Sequence, residues 1–284
     1  MTDAEFDALR AFLKTRSGLQ LTAEKRYLLE SRLGPICRKH GLSGVGELAR
    51  ALKTGGTELE RAVVEAMTTN ETFFFRDRTP FDLFRDVLLP RALKARAGTR
   101  RLRIWCAAAS SGQEPYSLAM ILSEAGAKLS GWQVEIIGTD LSTEVLERAK
   151  AGLYSQFEVQ RGLPVQMMMK YFAKDGDQWR IAPSLRAMVT FRPLNLIQPF
   201  GHLGQFDIVF CRNVLIYFDG PTKADVFRRL AGVLAPDGSL LLGAAETVIG
   251  LTEALAPDPA HRGLYVQGRP EPFAAAPLKL VASR

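Results

Sequence analysis

Residues 102–117, LRIWCAAASSGQEPYS, decide how the chain is read. An apolar run ends in a stretch of very small side chains and then passes into a segment of helical make-up, the order in which a parallel βα crossover begins. A dinucleotide fingerprint would place three glycines at this junction, and here there is one, Gly112. Ala107, Ala108, Ala109, Ser110 and Ser111 keep the loop slim by other means, so a ligand can come close to the backbone. Glu114 then falls in the first turn of the helix, where its carboxylate would repel the phosphate that a helix N-terminus otherwise attracts. A cationic or neutral ligand fits better.

S-adenosylmethionine is such a ligand, with a sulfonium, an ammonium group and ribose hydroxyls that carboxylates can serve. The next predicted strand ends in EIIGTD, which puts Asp140 where doubly wound folds hold ribose hydroxyls. Taken singly, the loop could be tight packing and Asp140 could cap the helix that opens with Ser142. In register they point to one site.

Working outward, the segment after Arg100 alternates short apolar runs with helical spacing. Strands are predicted at 102–106, 134–139, 188–192, 207–211, 239–243 and 263–267, with helices near 113–125, 142–151 and 222–234. This rhythm predicts an α/β fold, a doubly wound, mostly parallel sheet. Residues 153–187 break the rhythm and predict a small inserted hairpin or β-subdomain. Before Arg100 the spacing is helical: Phe6, Leu9, Phe12 and Leu13 recur at threes and fours, as do Leu29, Leu33 and Ile36, and Gly55–Gly56 marks a turn. We read an N-terminal helical domain over 1–78, a linking helix over 79–100, a ligand-binding domain over 101–267 and a disordered tail over 268–284.

The acidic, polar start MTDAEFDALR and the absence of any run of about 18 apolar residues predict a cytoplasmic protein without membrane insertion. Cys37, Cys106 and Cys211 match neither a disulfide framework nor a zinc site, so no metal is expected. The net charge of +7 favours an acidic partner.

Further motifs narrow the reading. LNL at 194–196, FDIVFCRNVLIYF at 206–218 and LAPDGSLLLG at 234–243 stand where class I methyltransferase sheets place the adenine wall, the catalytic strand end and the last crossover turn. Together with MTTNETFFFRD at 67–77, they make the chain resemble the CheR-type chemotaxis receptor glutamate O-methyltransferases from about Phe6 to Gln267. The resemblance implies a class I S-adenosylmethionine-dependent fold with an N-terminal helical domain and a β-subdomain. It further implies that Asn70, Thr72, Arg76 and Ala108 face the cofactor, that Glu114 and Asp140 bind its methionyl and adenosyl ends, and that Asn195 and Leu196 flank the adenine. Arg212 and Asn213 would lie beside the cofactor, with Arg76 and Tyr217 as the catalytic candidates and S-adenosylhomocysteine as product.

The implied substrate is a glutamate side chain on the acidic helical cytoplasmic domain of a methyl-accepting chemotaxis receptor. A carboxylate with a reference pKa of about 4.3 is already ionised, so no general base is needed. The (Asp/Asn)-Pro-Pro-(Tyr/Phe) turn common in amine methyltransferases is absent, since Arg212-Asn213-Val214-Leu215 stands in its place. Lys25, Arg32 and Lys39 recur every seven residues beside Arg26 and Arg38, and this stripe is the implied receptor dock. Pro35 is expected to kink or end that helix.

Two departures from the family pattern stand out. AKDGDQ at 173–178 is short, with one glycine, which argues against tethering through a receptor's C-terminal pentapeptide. Gly243-Ala244-Ala245-Glu246 replaces the usual Gly-His-Ser-Glu. Of the alternatives, an RNA methyltransferase would need aromatic stacking residues near the cleft, and none is evident; no nucleic acid partner is expected. A non-catalytic signalling scaffold would bind the cofactor and leave the receptor unmethylated.

Overall fold

The computed structural model describes residues 1–53 and 56–269. Gly55 of the predicted turn and nearly all of the predicted tail lie outside these residues. The N-terminal part folds into helices α1 (Asp3–Ser17), α2 (Arg26–Lys39), α3 (Val45–Ala51) and α4 (Thr57–Met67). A capping box starts α1, with Thr2 accepting from the Glu5 amide and Glu5 accepting from the Thr2 amide. Phe6, Leu9, Leu13, Leu29, Leu33, Cys37, Val63 and Met67 close one core. The expected break at Pro35 does not occur, and α2 runs through it to Lys39. Buried Leu29, Leu33 and Cys37 bracket the proline, and their packing outweighs the missing N–H.

The linking helix comes in three contiguous pieces, α5 (Thr79–Leu83), a wider π turn (Phe84–Leu88) and α6 (Leu89–Ala95). The π turn ends two residues before Pro90, which cannot donate to the α ladder. Phe81 and Phe84 point from this helix into the core and meet Phe210 at ring-centroid distances of 6.2 and 6.0 Å.

The remaining chain gives β1 (Arg101–Cys106), α7 (Gln113–Ala125), β2 (Gln133–Asp140), α8 (Thr143–Ala151), β3 (Leu153–Ser155), α9 (Gln156–Gln160) and α10 (Val165–Tyr171). It continues with β4 (Phe172–Asp175), β5 (Gln178–Ile181), α11 (Pro183–Arg186), β6 (Val189–Pro193), β7 (Phe206–Cys211), α12 (Gly220–Val233), β8 (Leu234–Leu242), β9 (Leu255–Pro257) and β10 (Leu264–Gln267). A seven-stranded sheet has the order β6-β2-β1-β7-β8-β10-β9, parallel except at β10. Alternation along the strands feeds two layers. Ile104, Cys106, Ile208 and Phe210 face the layer that holds the linking helix and α7, while Trp105, Val209 and Cys211 face the layer that holds α12.

The predicted strands are all present, with differences. APDG reads as a turn, yet β8 begins at Leu234 and absorbs the segment through a register shift opposite Phe206 and Ile208. The three-residue β9 has no sequence signal of its own. The insertion is a three-stranded antiparallel sheet, order β3-β5-β4, so the predicted hairpin gains a third strand. Strand order reverses between β1 and β7, and a cleft opens at their carboxyl ends.

Candidate active site

The cleft is lined by every residue that the sequence reading assigned to catalysis or to the cofactor. Asn70, Thr72, Arg76, Ala108, Glu114, Asp140, Asn195, Leu196, Arg212, Asn213 and Tyr217 come from distant parts of the chain and meet here. Ser17, Leu19, Val64 and Met67 of the N-terminal domain line it too, with no local signal that announces them.

The loop after β1 supplies room. Ala107 and Ala108 line the cleft, and Ser110 adopts a left-handed conformation (φ 49) that turns its amide onto Asp140 Oδ2 at 2.8 Å. Asp140 Oδ1 accepts from the Ser142 amide at 3.0 Å, so its carboxylate folds the loop and starts α8 at once. A carboxylate has about four lone-pair sites, which leaves acceptor capacity toward the cleft. Burial pushes the Asp140 carboxyl above its usual range, against the pull of the Ser142 and Ser110 amides. Gly112 ends the loop at φ 95, where a Cβ would crowd Ala149 and Tyr116 at 3.0 Å.

The loop after β7 supplies charge. Arg212 is buried, and its Nη1 lies 2.8 Å from Glu114 Oε2 while its Nη2 lies 2.8 Å from Asp77 Oδ2 and donates to the Arg76 carbonyl. Burial raises the Glu114 carboxyl, and the facing Arg212 only partly offsets this. Glu114 is thus engaged by Arg212 as well as facing the ligand space, a partnership that the sequence did not suggest. Asp77, the last residue of the MTTNETFFFRD segment, is the second acidic partner of Arg212. Cys106 and Cys211 are free and fully buried, and burial drives both thiols up, away from reactivity.

Arg76 sits at the mouth, with Nη1 donating to the Glu71 carbonyl at 2.6 Å and its guanidinium 5.7 Å from the Phe73 ring centroid. Phe74 is fully buried in the core, and Phe75 packs partly buried against it. The Tyr217 hydroxyl has no hydrogen-bond partner among the described residues, while its carbonyl accepts from the Gln20 amide at 2.8 Å. Asn195 lines the cleft while its amide is tied to the chain: Nδ2 donates to the Arg16 carbonyl at 2.7 Å and Oδ1 accepts from the Ile197 amide. It joins the N-terminal helices to the cleft, as do Lys14 with Asp219 at 2.6 Å and Glu65 with Thr143.

The basic stripe divides. Arg32 donates to the carbonyls of Met67 and Thr68 at 2.9 and 3.0 Å, thereby holding the end of α4 that lines the cleft. Arg26 binds Asp3 at 2.6 Å and the Met1 carbonyl. Within the expected dock these two cations thus also serve the fold, with nearby carbonyls and an acid as partners. Lys25, Arg38 and Lys39 remain exposed. Among the described residues no helix is long and apolar enough to cross a membrane.

S-adenosylmethionine fits this lining. Glu71, Glu114 and Asp140 outnumber Arg76 and Arg212, no lysine or histidine is present among the lining residues, and the alanines permit close approach.

Comparison with known proteins agrees. Residues 4–68 match the family "CheR methyltransferase, all-alpha domain", and residues 70–262 match "CheR methyltransferase, SAM binding domain". The chain is 44% identical over 257 residues to "Chemotaxis protein methyltransferase 1" of Pseudomonas aeruginosa, covering 88% of this chain and 93% of the relative. It is 42% identical to "Chemotaxis protein methyltransferase 1" of Vibrio cholerae (89% and 92% covered), and 36% identical over 253 residues to "Chemotaxis protein methyltransferase" of Escherichia coli (87% and 85% covered). With one of these families spanning the N-terminal helices and its companion spanning the cleft, the chain belongs to the CheR methyltransferases.

Proposed function

We propose that this S-adenosylmethionine-dependent chemotaxis methyltransferase esterifies glutamate side chains on the acidic helical cytoplasmic domain of chemoreceptors. When bound, S-adenosylmethionine supplies a methyl group activated on a sulfonium and departs as the neutral thioether S-adenosylhomocysteine. The chain's own residues hold and align. Asp140 and Glu114 offer carboxylates, Ala107 and Ala108 offer close approach, and Leu196 offers an apolar wall. Arg76 can fix the incoming carboxylate through its forked donors, and the free Tyr217 hydroxyl can orient one oxygen.

The observation that carries this reading is the composition of the mouth. It holds a guanidinium and a phenol, and no histidine or lysine among the lining residues to act as base. An ionised nucleophile requires alignment and charge placement rather than proton removal. Exposed Lys25, just before α2, and exposed Arg38 and Lys39 at its end suit an acidic helical partner. The test is transfer of labelled methyl from S-adenosylmethionine to a purified chemoreceptor cytoplasmic domain. Label that is released as methanol by mild alkali is expected, and alkali-stable label or none would overturn the assignment.

A further inference from the structure

We propose that Glu246 is the positioning residue of the methyl-transfer site, holding Arg212 and Tyr217 in register from behind. The proposal rests on the functional reading above and on a cluster of main-chain contacts. Glu246 is buried and follows the end of β8. Its Oε2 accepts from the amides of Gly243 at 2.7 Å and Asn213 at 2.8 Å, and its Oε1 accepts from those of Val214 at 3.0 Å and Leu215 at 2.7 Å. These donors fill the roughly four lone-pair sites of a carboxylate, so Glu246 has no capacity left to serve as a base.

The geometry is purpose-specific. Asn213 takes a left-handed conformation (φ 58), uncommon for a residue with a side chain, and the amides of residues 213–215 converge on the single carboxylate. Arg212 lies immediately before this run, and Tyr217 ends the one-turn 3₁₀ helix Leu215–Tyr217 that follows it. Fixing three consecutive amides therefore fixes both side chains, through bonds strengthened by the negative charge. Gly243 completes the arrangement, because a Cβ there would stand 2.7 Å from Glu246 Oε2 and 2.8 Å from Asn213 Nδ2. This also explains how Ala244 and Ala245 can replace the usual histidine and serine: the glycine and the glutamate that flank them build the anchor.

The test compares Glu246→Gln and Gly243→Ala with Glu158→Gln, which alters the capping carboxylate of α9 in the inserted subdomain. Both anchor variants are expected to lower kcat for receptor methylation by about tenfold or more, with receptor KM within about twofold of wild type, while Glu158→Gln keeps kcat. Amide exchange at residues 213–215 should quicken in both anchor variants while Ser110 and Ser142 exchange as in wild type. Should Glu246→Gln fail to fold, Gly243→Ala decides alone. Wild-type kcat, or unchanged exchange at 213–215, in the folded anchor variants overturns the proposal. A wild type that never methylates receptor would instead sink the functional reading, and the exchange measurement would still decide whether Glu246 anchors the loop.

Discussion

The loops after β1 and β7 lie side by side at the switch point, and both are folded round a buried carboxylate contributed from next to the neighbouring strand. Asp140 at the end of β2 takes the amides of Ser110 and Ser142, and Glu246 beyond β8 takes those of Gly243, Asn213, Val214 and Leu215. Each loop also carries a left-handed non-glycine residue, Ser110 or Asn213. Such conformations cost of order 1–3 kcal/mol each and persist where surrounding bonds over-determine them. The side chains differ completely. One loop is alanine and serine and makes space; the other carries Arg212, Asn213 and Tyr217 and makes a field. A parallel sheet thus builds opposite halves of one site with a single main-chain device.

The largest effect that would break this contrast is expected at the charged loop. Arg212→Met leaves Glu114 buried without its partner and removes the link to Asp77, and should cost about 3–5 kcal/mol in urea denaturation. A loss below about 1 kcal/mol would mean that the network is not structural. Adding Glu114→Gln to that variant should recover part of the loss through coupling.

At the spacious loop, bulk rather than charge should matter. Ala108→Leu is expected to weaken S-adenosylhomocysteine binding by about tenfold or more, about 1.4 kcal/mol, while the urea midpoint stays near wild type. Unchanged affinity by calorimetry would show that the small residues serve packing only.

A smaller effect tests the tie between the charged loop and the N-terminal helices. Asp219 caps α12 and pairs with Lys14, whose contact, followed by Thr222, lowers the Asp219 carboxyl from 3.8 to about 2. Asp219→Ala should cost ~1 kcal/mol near neutral pH. A depressed acid stabilises fully above its unfolded value, so the difference between the two proteins should persist down to pH 3.8 and vanish as pH falls through about 2. Urea midpoints that stay apart at the acid end would contradict the assignment. The smallest effect is remote: Lys25→Glu with Lys39→Glu should raise receptor KM a few-fold at low salt, a difference that shrinks in high salt.

Much of the site was legible because its chemistry is local in sequence. Small residues after an apolar run announced the loop after β1, and Asp140 at a strand end announced its partner. What escaped was long-range. Nothing near Asn195 signals that its amide would reach the Arg16 carbonyl, and nothing near Arg32 signals that α4 would end against it. Glu246 was visible only as part of a departure from the family pattern, since the amides that it gathers come from 31 to 33 residues upstream. The three-residue β9 is held by pairing with β10 and has too few residues to show a period. Pro35 misled because propensity is local and the packing of α2 is not.

The most direct trial of the cleft is calorimetric titration of S-adenosylmethionine into wild type and into Asp140→Ala. The account predicts saturable binding to the first and no measurable heat with the second. Equal affinity in the two proteins, or a wild type that takes up no cofactor, would contradict it.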